Sequence, residues 1–305
     1  MRALITGATG FIGSHTTARL VEAGHEVHAL VHPGDDRTRL RAMAPSAALV
    51  ACDVLDDVAT RESVMLLRPE VVVHLAWHPI AGAYLEAPEN VRHLRASLAL
   101  FEALRDAGCM RFLTAGTCFE YDTSATTALS ETSAAAPRFL YAACKHAMFE
   151  ACSHAARTSG VRHAHLRFFF LYGPHEHPAR LVPSVARALL AGEEARTSPG
   201  EQVRDFLHVD DAARAVATVL ASDATGAINV GSGEPVRVVD VVRAVADACC
   251  RPELLRVGAL PHREGDPMHV LADATRLRGL GWSPRFDLAA GVRDTVRSLT
   301  ERAHG

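Results

Sequence analysis

Tyr141 and Lys145 are the residues of this sequence whose types and spacing most clearly suggest chemistry. They lie four positions apart, and Lys145 is the only lysine among the 305 residues. On a helix this spacing puts both side chains on one face, about one turn apart. An ammonium beside a phenol lowers the phenol's pKa from about 10, so that Tyr141 would act as a general acid or base near neutral pH. A ring that merely packs on a neighbouring side chain has the same spacing, so the pair alone leaves that alternative open.

A glycine-rich turn near the beginning of the chain predicts a dinucleotide site. The apolar run 3–5 predicts a strand, and it is followed by Thr6-Gly-Ala-Thr-Gly-Phe-Ile-Gly13 and a helical run through Ala23. Strand, glycine turn and helix in this order bring backbone N–H groups and the positive end of a helix to a pyrophosphate. The residues of this turn assigned to the cofactor are Gly7, Thr9, Gly10, Phe11 and Ile12.

The end of the second predicted strand, Glu26 to Val31, indicates which dinucleotide is used. NAD sites usually carry Asp or Glu at this strand end, where the carboxylate accepts from the ribose 2'-hydroxyl. Here His32 follows the strand, and Arg37 lies a few residues further along. Cations near the position of a 2'-phosphate favour NADP(H) over NAD(H). NAD(H) stays open, because Asp35 or Asp36 could fold back onto the ribose.

Further site residues are expected at the carboxyl ends of the other strands, because ligands bind there in open α/β sheets. Cofactor contacts are assigned to Asp53 and Val54 after the third strand, and to Leu75 and Ala76 at the end of the fourth. Asp53 is the candidate for the adenine. His78, which follows the fourth strand, is a candidate substrate contact, and a solvent-facing loop histidine is the alternative.

The composition excludes several classes of function. The net charge of -3 argues against nucleic acid, and no apolar run approaches the roughly 18 residues of a membrane span. Seven cysteines without metal-ligand spacing predict reduced thiols in the cytosol. His175 and His177 lack a third ligand at a recognisable spacing, so no metal site is predicted. We expect a cytoplasmic protein.

The alternation of strands and helices predicts a doubly wound parallel Rossmann sheet with a smaller α/β substrate-binding domain. The dinucleotide-binding domain is assigned to residues 1–173 with 205–231, and the substrate-binding domain to residues 174–204 with 232–305. Thr117 follows the strand that begins at Arg111. Its hydroxyl is therefore expected at the mouth of the sheet, free to donate to a carbonyl oxygen.

Motifs along nearly the whole chain together resemble the extended short-chain dehydrogenase/reductase family. They are the turn at residues 7–13, the segment 117–121, the Tyr141/Lys145 pair, the strand end 167–174, Arg204-Asp-Phe and Arg263-Glu-Gly-Asp. The resemblance implies that Tyr141 exchanges the proton of a sugar hydroxyl or carbonyl. It also implies that Lys145 holds the nicotinamide ribose and that Thr117 fixes the carbonyl oxygen. The two arginines, Arg204 and Arg263, would hold a substrate pyrophosphate, with surface salt bridges as the alternative.

The same resemblance bears on the reaction. The family's 4,6-dehydratases carry Asp-Glu directly after the catalytic Thr, whereas this sequence has Cys118 and Phe119 there. Its 4-epimerases hold NAD and carry Asn at the position of Phe170. Cys118 with His175 or His177 is the one candidate for a further acid/base pair.

The segment 116–121 is similar to reductases of 4-keto-6-deoxy nucleotide sugars. The resemblance therefore implies an NADPH-dependent 4-ketoreductase of a nucleotide-linked sugar, with dTDP as the expected nucleotide. An NAD-dependent 4-epimerase is the alternative, and a non-catalytic cofactor-sensing protein of this fold is a further one. His78, Thr117, Cys118 and Phe170 are the expected substrate contacts besides the arginines. A homodimer is implied through helices near residues 90–107, with Leu94, Leu98 and Phe101, and near residues 141–158.

Overall fold

The computed structural model describes residues 1–78, 83–124, 126–262 and 264–304, so the predicted pyrophosphate ligand Arg263 lies outside the described residues. The strands are β1 (Arg2–Thr6), β2 (Glu26–Val31), β3 (Ala48–Ala51), β4 (Val71–His74), β5 (Arg111–Thr117), β6 (Arg162–Phe168), β7 (Phe170–Tyr172), β8 (Ala195–Arg196), β9 (Val203–His208), β10 (Gly226–Val230), β11 (Pro235–Arg237), β12 (Leu255–Arg256) and β13 (His269–Val270). The helices are α1 (Phe11–Glu22), α2 (Thr38–Met43), α3 (Asp57–Leu67), α4 (Glu89–Asp106), α5 (Leu140–Ser159), α6 (Leu181–Leu190), α7 (Val209–Ala221), α8 (Val238–Ala248), α9 (Thr275–Arg278) and α10 (Leu288–His304).

Seven parallel strands make the central sheet, in the order β3-β2-β1-β4-β5-β6-β10. The order reverses between β1 and β4, which opens a crevice at the carboxyl ends of these strands. Strand β4 is buried along its whole length because helices cover both faces of the sheet. The predicted doubly wound Rossmann sheet is confirmed.

Two helical layers cover this sheet. Helices α1 and α7 pack together on one face, where Leu20, Ala212 and Val216 join the buried strand residues. Helices α3, α4 and α5 cover the other face around Leu104 and Met148. Each helix buries its apolar stripe against the sheet, and this packing fixes the loops at the carboxyl edge.

A smaller unit beside the sheet combines α6, α8 and α10 with a second sheet. The apolar faces of the three helices meet around Val182, Leu189, Val242 and Val292. In the second sheet, β9 pairs with β7, β11 and β13. The domain boundary expected between residues 204 and 205 cuts through β9, whose residues 203–208 belong together in this smaller sheet. The rest of the division into two domains stays a prediction.

One residue, Phe169, separates β6 from β7. The sequence predicts a single strand from Val161 to Leu171, but the chain passes from the central sheet into the smaller one at Phe169. Phe169 is buried, and its N–H donates to the carbonyl of Val230 at 3.1 Å. The two sheets are therefore joined directly, without an intervening loop.

Within the described residues, no helix combines the length and the hydropathy needed to cross a bilayer. All seven cysteines are free thiols. Among the same residues, no group of three or more His, Cys, Asp or Glu side chains is arranged to hold a metal ion.

Two buried histidines make the stability of this fold depend on pH. His74 bonds to Thr6 Oγ1 at 2.7 Å, and His163 bonds to Thr114 Oγ1 at 2.9 Å. Burial lowers the pKa of each imidazole to about 3. Between pH 3 and 6.5 the unfolded chain therefore binds more protons, so stability is full above pH 6.5 and is lost as the pH falls.

We expect the free energy of unfolding, measured by urea denaturation, to fall between pH 6.5 and 5 by about 1.4 kcal/mol per pH unit for each such histidine. His163→Gln should reduce the pH dependence of the free energy of unfolding by the contribution of one histidine, about 1.4 kcal/mol per pH unit. His154→Gln, at an exposed position on α5, should leave the slope unchanged. A stability that is flat across this range would contradict the prediction.

Candidate active site

The three predicted catalytic residues converge at the carboxyl end of β5. Thr117 is the last residue of that strand, and Tyr141 lies in the first turn of α5. The Thr117 hydroxyl lies beside the Tyr141 phenol and acts to lower its pKa. The Lys145 ammonium lies 5.8 Å from the centroid of the Tyr141 ring. The structure thus brings together a hydroxyl, a phenol and an ammonium, as the spacing in the sequence suggests.

Aromatic rings enclose Tyr141. The ring of Tyr84 meets it edge-on at a centroid distance of 4.9 Å, and Trp77 does so at 6.3 Å. Burial raises the pKa of the Tyr141 phenol well above its ordinary value, and Tyr84 and Glu120 add to this effect. The sequence predicts a lowered pKa from Lys145, and the structure corrects this, because desolvation of the phenolate dominates. Tyr141 is therefore a protonated phenol at neutral pH.

The Lys145 side chain is only 2% exposed, and its ammonium lies over the ring of Trp77, 3.6 Å from the centroid. Burial lowers the pKa of Lys145 to about 7, against the opposing effects of Glu120 and Cys144. A small change in its surroundings therefore decides whether this side chain carries a charge.

A buried carboxylate lies beneath the Thr117 turn. Glu120 accepts from the backbone N–H of Thr117 at 2.8 Å and pairs with His165 and Arg167, each at 2.9 Å. Burial alone would raise the pKa of Glu120, but His165, His146 and Arg167 together hold it well below its usual range. The carboxylate therefore stays charged and ties the turn that carries Thr117 to strand β6.

The glycine turn has the shape of a dinucleotide cradle. Gly7 has a φ of 69°, and a Cβ on it would lie 2.6 Å from the backbone nitrogen of Ala76. A Cβ on Gly13 would lie 2.0 Å from the carbonyl oxygen of Gly7. Helix α1 begins after Gly10 without a side-chain cap, so its first N–H groups are available to an anion. These features fit the pyrophosphate of a nicotinamide dinucleotide.

Two carboxylates flank the predicted ribose position at the end of β2. Asp35 accepts from the Thr9 hydroxyl at 2.5 Å, and its other oxygen lies 3.9 Å from His32 Nδ1. His32 Nε2 lies 3.8 Å from an Asp53 carboxylate oxygen. The charge near this ribose is therefore more negative than the residues directly after the strand suggest.

The neighbouring arginines are placed differently. Arg39 donates to the backbone carbonyls of Thr9 and His175, so it bridges the glycine turn and a loop of the smaller unit. Arg37 is the N-terminal cap residue of α2. Arg39 is thus engaged by carbonyl groups, and Arg37 is the cation left to meet a 2'-phosphate.

The other predicted cofactor residues surround the same crevice. The backbone N–H of Leu75 donates to the Thr6 carbonyl, and that of Ala76 donates to the Thr6 hydroxyl, both at 3.2 Å. These contacts hold the end of β4 against the glycine turn. Val54 is buried beyond β3, and Phe11 and Ile12 are partly buried in the first turn of α1. The ring of His78 lies 6.5 Å from that of His93 on α4, which places it near the catalytic residues.

The predicted substrate residues form a path away from Thr117. Phe119 meets Phe170 edge-on at 6.1 Å, and the Arg204 guanidinium lies 5.2 Å from the Phe170 ring centroid. Arg204 is buried and pairs with Asp266 at 2.8 Å. Cys118 is also buried, and burial raises the pKa of its thiol to about 12. Cys118 is therefore no acid or base near neutral pH, and it lies beneath this path.

A cavity of about 290 Å³ continues the path into the smaller unit. It is lined by Leu181, Ser184, Val185, Arg196, Thr197, Ser198, Gln202, Val238, Leu260, Pro261 and Asp266. The Gln202 side-chain oxygen is buried and finds no hydrogen-bond partner among the described residues. The cavity thus offers apolar walls, one arginine and a free amide acceptor.

The sequence reasoning missed several residues of this site. Trp77 and Asn90 carry no recognisable motif, and Gln202 lies on a segment without periodicity. Glu120 could have been found from the sequence. It is an acidic residue in an otherwise apolar segment, and a buried carboxylate needs cationic or hydrogen-bonding partners. The two residues that supply them, His165 and Arg167, alternate on one strand.

Comparison with known proteins identifies the family of this chain. The family model described as "NAD dependent epimerase/dehydratase family" matches residues 3–231. The chain belongs to this family. The resemblance predicted from the motifs is therefore confirmed, and so is the enzyme class that it implies, that of the extended short-chain dehydrogenases/reductases.

Relatives within the epimerase/dehydratase family differ in reaction. The chain is 28% identical to the UDP-glucose 4-epimerase of Corynebacterium glutamicum, over 100% of this chain and 98% of that protein. It is 35% identical to the 3-diazoavenalumate denitrifying reductase of a Streptomyces species, over 77% of each. The crystal structure of Thermus thermophilus UDP-glucose 4-epimerase in complex with NAD has a TM-score of 0.89, with 28% identity over 98% of this chain and 99% of that one. A nicotinamide adenine dinucleotide is thus supported as the cofactor.

Proposed function

We propose that this chain reduces the C4 keto group of a nucleotide-linked 4-keto-6-deoxyhexose, with dTDP as the first nucleotide to test. The observation that carries the proposal is that the Tyr141 phenol lies beside Thr117, while the two residues after Thr117 supply no further acid/base pair near neutral pH. Tyr141 is protonated at neutral pH and is reached by the Thr117 hydroxyl. A ketone reduction needs a proton donor at this position, and a protonated phenol supplies one.

The residues after Thr117 support reduction over dehydration. Elimination of water needs an additional acid and base. Cys118 is a buried thiol, and Phe119 has no titratable group. The partly buried rings of Phe119, Phe139 and Phe170 pack edge-on along this wall, which suits the methyl face of a 6-deoxy sugar.

The other end of the substrate would occupy the cavity in the smaller unit. Arg204, with Arg263 as a further candidate, would meet the pyrophosphate. The apolar walls around Leu181 and Val238 suit a nucleobase, and the free oxygen of Gln202 suits a ring N–H.

Each residue of the site then has a separate role in binding the cofactor or in the transfer of the proton. The glycine turn and the N-terminus of α1 would hold the dinucleotide, and Lys145 would hold its nicotinamide ribose. When bound, that cofactor supplies the hydride. Thr117 would donate a hydrogen bond to the C4 oxygen, and Tyr141 would deliver its phenolic proton to the same oxygen. Hydrogen bonds to an oxygen that gains charge stabilise the transition state by up to a few kcal/mol.

The charges at the ribose bear on the choice of dinucleotide. The preference for NADP(H) predicted from the sequence stays a prediction. We propose NAD(H) instead, because Asp35 and Asp53 would repel a 2'-phosphate, and because Arg39 is engaged by carbonyl groups. Arg37 is the residue that would favour NADP(H).

Asp35→Asn tests this choice. We expect the unmodified protein to bind NADH more tightly than NADPH. The variant should narrow that difference by several-fold, up to about tenfold, because a partly exposed carboxylate near a 2'-phosphate repels it by on the order of 1 kcal/mol. Calorimetric titration with both dinucleotides measures it. Asp36→Asn is the matched control, since this fully exposed neighbour binds Thr38 and should change neither affinity. Tighter binding of NADPH by the unmodified protein would overturn the proposal.

The reaction is tested with dTDP-4-keto-6-deoxyglucose and a reduced dinucleotide. Loss of absorbance at the nicotinamide band that requires both the sugar and the enzyme would support the proposed reduction. A 4-epimerase is the second candidate, favoured by the epimerase relatives. Conversion of UDP-glucose to UDP-galactose without added cofactor would establish it and remove the reductase proposal.

A homodimer through α4 and α5 is also proposed, and a cytoplasmic location stays a prediction. The two helices pack against each other on one face of the sheet. Phe101, which the sequence assigned to the interface, is 4% exposed and packs in the chain's own core. Val91 is 53% exposed and, with the partly buried Leu94 and Leu98, leaves a smaller apolar surface for a second copy. Sedimentation equilibrium would test the assembly.

A further inference from the structure

The surroundings of Lys145 lack the group that usually fixes an ammonium. In the part of the chain that the structure describes, no carboxylate lies within ion-pair distance of its nitrogen. The ammonium instead lies over the indole of Trp77, 3.6 Å from the ring centroid. A cation at this distance from a tryptophan face is attracted by the negative charge of the ring face.

Trp77 is itself held in a fixed orientation. Its Nε1 donates to Asn90 Oδ1 at 2.7 Å, and Asn90 in turn donates to the carbonyl of Ala87 at 2.8 Å. On α4, His93 stacks on the indole at a centroid distance of 5.4 Å and an angle of 27°. A hydrogen bond and a stacked ring thus fix the plane that faces Lys145. The tryptophan is a built element of the site and not a surface ring that happens to lie near it.

The titratable groups around the ammonium come from five elements. They are Glu120 in the turn after β5, Cys144 on α5, His74 on β4, His93 on α4 and His165 on β6. Desolvation lowers the pKa of each of the three histidines, so they are neutral at pH 7. Glu120 is the negative charge in this set, and it is already paired with His165 and Arg167. The indole face is therefore the contact that orients the ammonium.

We propose that Trp77 is a positioning residue that holds the Lys145 ammonium for the cofactor ribose through the face of its indole ring. This inference rests on the proposed function, in which Lys145 contacts the nicotinamide ribose. The same tryptophan meets the Tyr141 ring edge-on, so it fixes both catalytic side chains from one side.

Fluorinated tryptophans test this proposal without changing the shape of the side chain. Fluorine atoms withdraw charge from the ring face and weaken its attraction for a cation, while the N–H that binds Asn90 is kept. The chain has two tryptophans, and Trp282 is buried elsewhere, with its Nε1 donating to the carbonyl of Asp211. Trp77→Phe, labelled in the same way, therefore carries the fluorines at Trp282 alone and is the matched control.

NADH affinity, measured by calorimetric titration, is the readout. We expect the Kd to rise stepwise with the number of fluorines, reaching about tenfold, since a desolvated cation–π contact contributes on that order. In labelled Trp77→Phe the Kd should not depend on fluorination. An affinity that stays constant in the labelled protein would overturn the proposal. So would an affinity that increases, because this would mean that the indole competes with the cofactor for Lys145.

A double-mutant cycle separates positioning from general packing. Trp77→Leu should weaken NADH binding when Lys145 is present. In a Lys145→Met background the same substitution should change the Kd less than twofold, because Trp77 acts through the ammonium. Equal effects in both backgrounds would assign Trp77 a packing role and overturn the proposal. If the unlabelled protein without substitutions bound no dinucleotide at all, the proposed function would be refuted. This result differs from the outcomes of the fluorination series and of the double-mutant cycle, which test only the role of Trp77.

Discussion

Replacing Tyr141 by phenylalanine is expected to lower kcat by about 10²–10⁴-fold, the contribution of one general acid, and to leave the Kd for NADH within about threefold. The phenol is the proton donor placed beside Thr117. Thr117 can donate a hydrogen bond to the C4 oxygen, but an alkyl hydroxyl is a much weaker acid than a phenol and does not replace it in the proton transfer. The ring itself stays, so its edge-on contacts with Tyr84 and Trp77 are kept. Initial rates with dTDP-4-keto-6-deoxyglucose and calorimetric titration with NADH measure the two quantities.

Tyr84→Phe is the matched control for this substitution. Its ring lies 4.9 Å from that of Tyr141 and is also partly buried, so both variants remove one hydroxyl from the same aromatic cluster. We expect Tyr84→Phe to keep kcat within about threefold, because its hydroxyl takes no part in the proton transfer. If the two variants lost activity to the same extent, Tyr141 would have no special role as an acid.

Glu120→Ala is expected to have the largest effect on stability, lowering the free energy of unfolding by about 3–5 kcal/mol. Its carboxylate balances the buried guanidinium of Arg167 and accepts from His165 and from the backbone of Thr117. Alanine leaves that guanidinium buried without its partner, which is the costly way to break an ion pair. Urea denaturation at pH 7.5 measures the loss.

Two further variants serve as references for the stability loss of Glu120→Ala. Glu150→Ala removes an exposed carboxylate from α5 and should change stability by no more than about 0.5 kcal/mol. Glu120→Gln keeps an acceptor for the Thr117 N–H but removes the charge, so its loss should lie between the two. A loss below about 1 kcal/mol for Glu120→Ala would show that the surrounding groups rearrange or hydrate, and that the carboxylate is not required.

Much of the fold was predictable because it depends on local pattern. The buried run at Val71-Val72-Val73 and the glycine turn before Phe11 fix a parallel strand and a phosphate-facing helix by spacing alone. The split of the expected strand 161–171 into β6 and β7 was not predictable, because it depends on pairing with β9, more than thirty residues further along. Long-range pairing leaves no mark on local periodicity.

The catalytic residues were predictable, but their proton affinities were not. The four-residue spacing places Tyr141 and Lys145 on one face of α5, as the structure shows. Their pKa values depend on Trp77, Tyr84 and Glu120, which come from other parts of the chain and remove water from the pair. The sign of a pKa shift is set by this desolvation, and no sequence pattern reports it.

The single residue between β6 and β7 restricts how the crevice can open. The Phe169 side chain is buried, and its backbone N–H donates to the carbonyl of Val230. The connection between the two strands is therefore short and fixed at both its side chain and its backbone. Phe169 thus ties Phe170, and through it the neighbouring Arg204, to the end of β6 and so to the strand beside Thr117. A bulkier or more flexible residue at position 169 would therefore shift the substrate-facing wall relative to the catalytic residues.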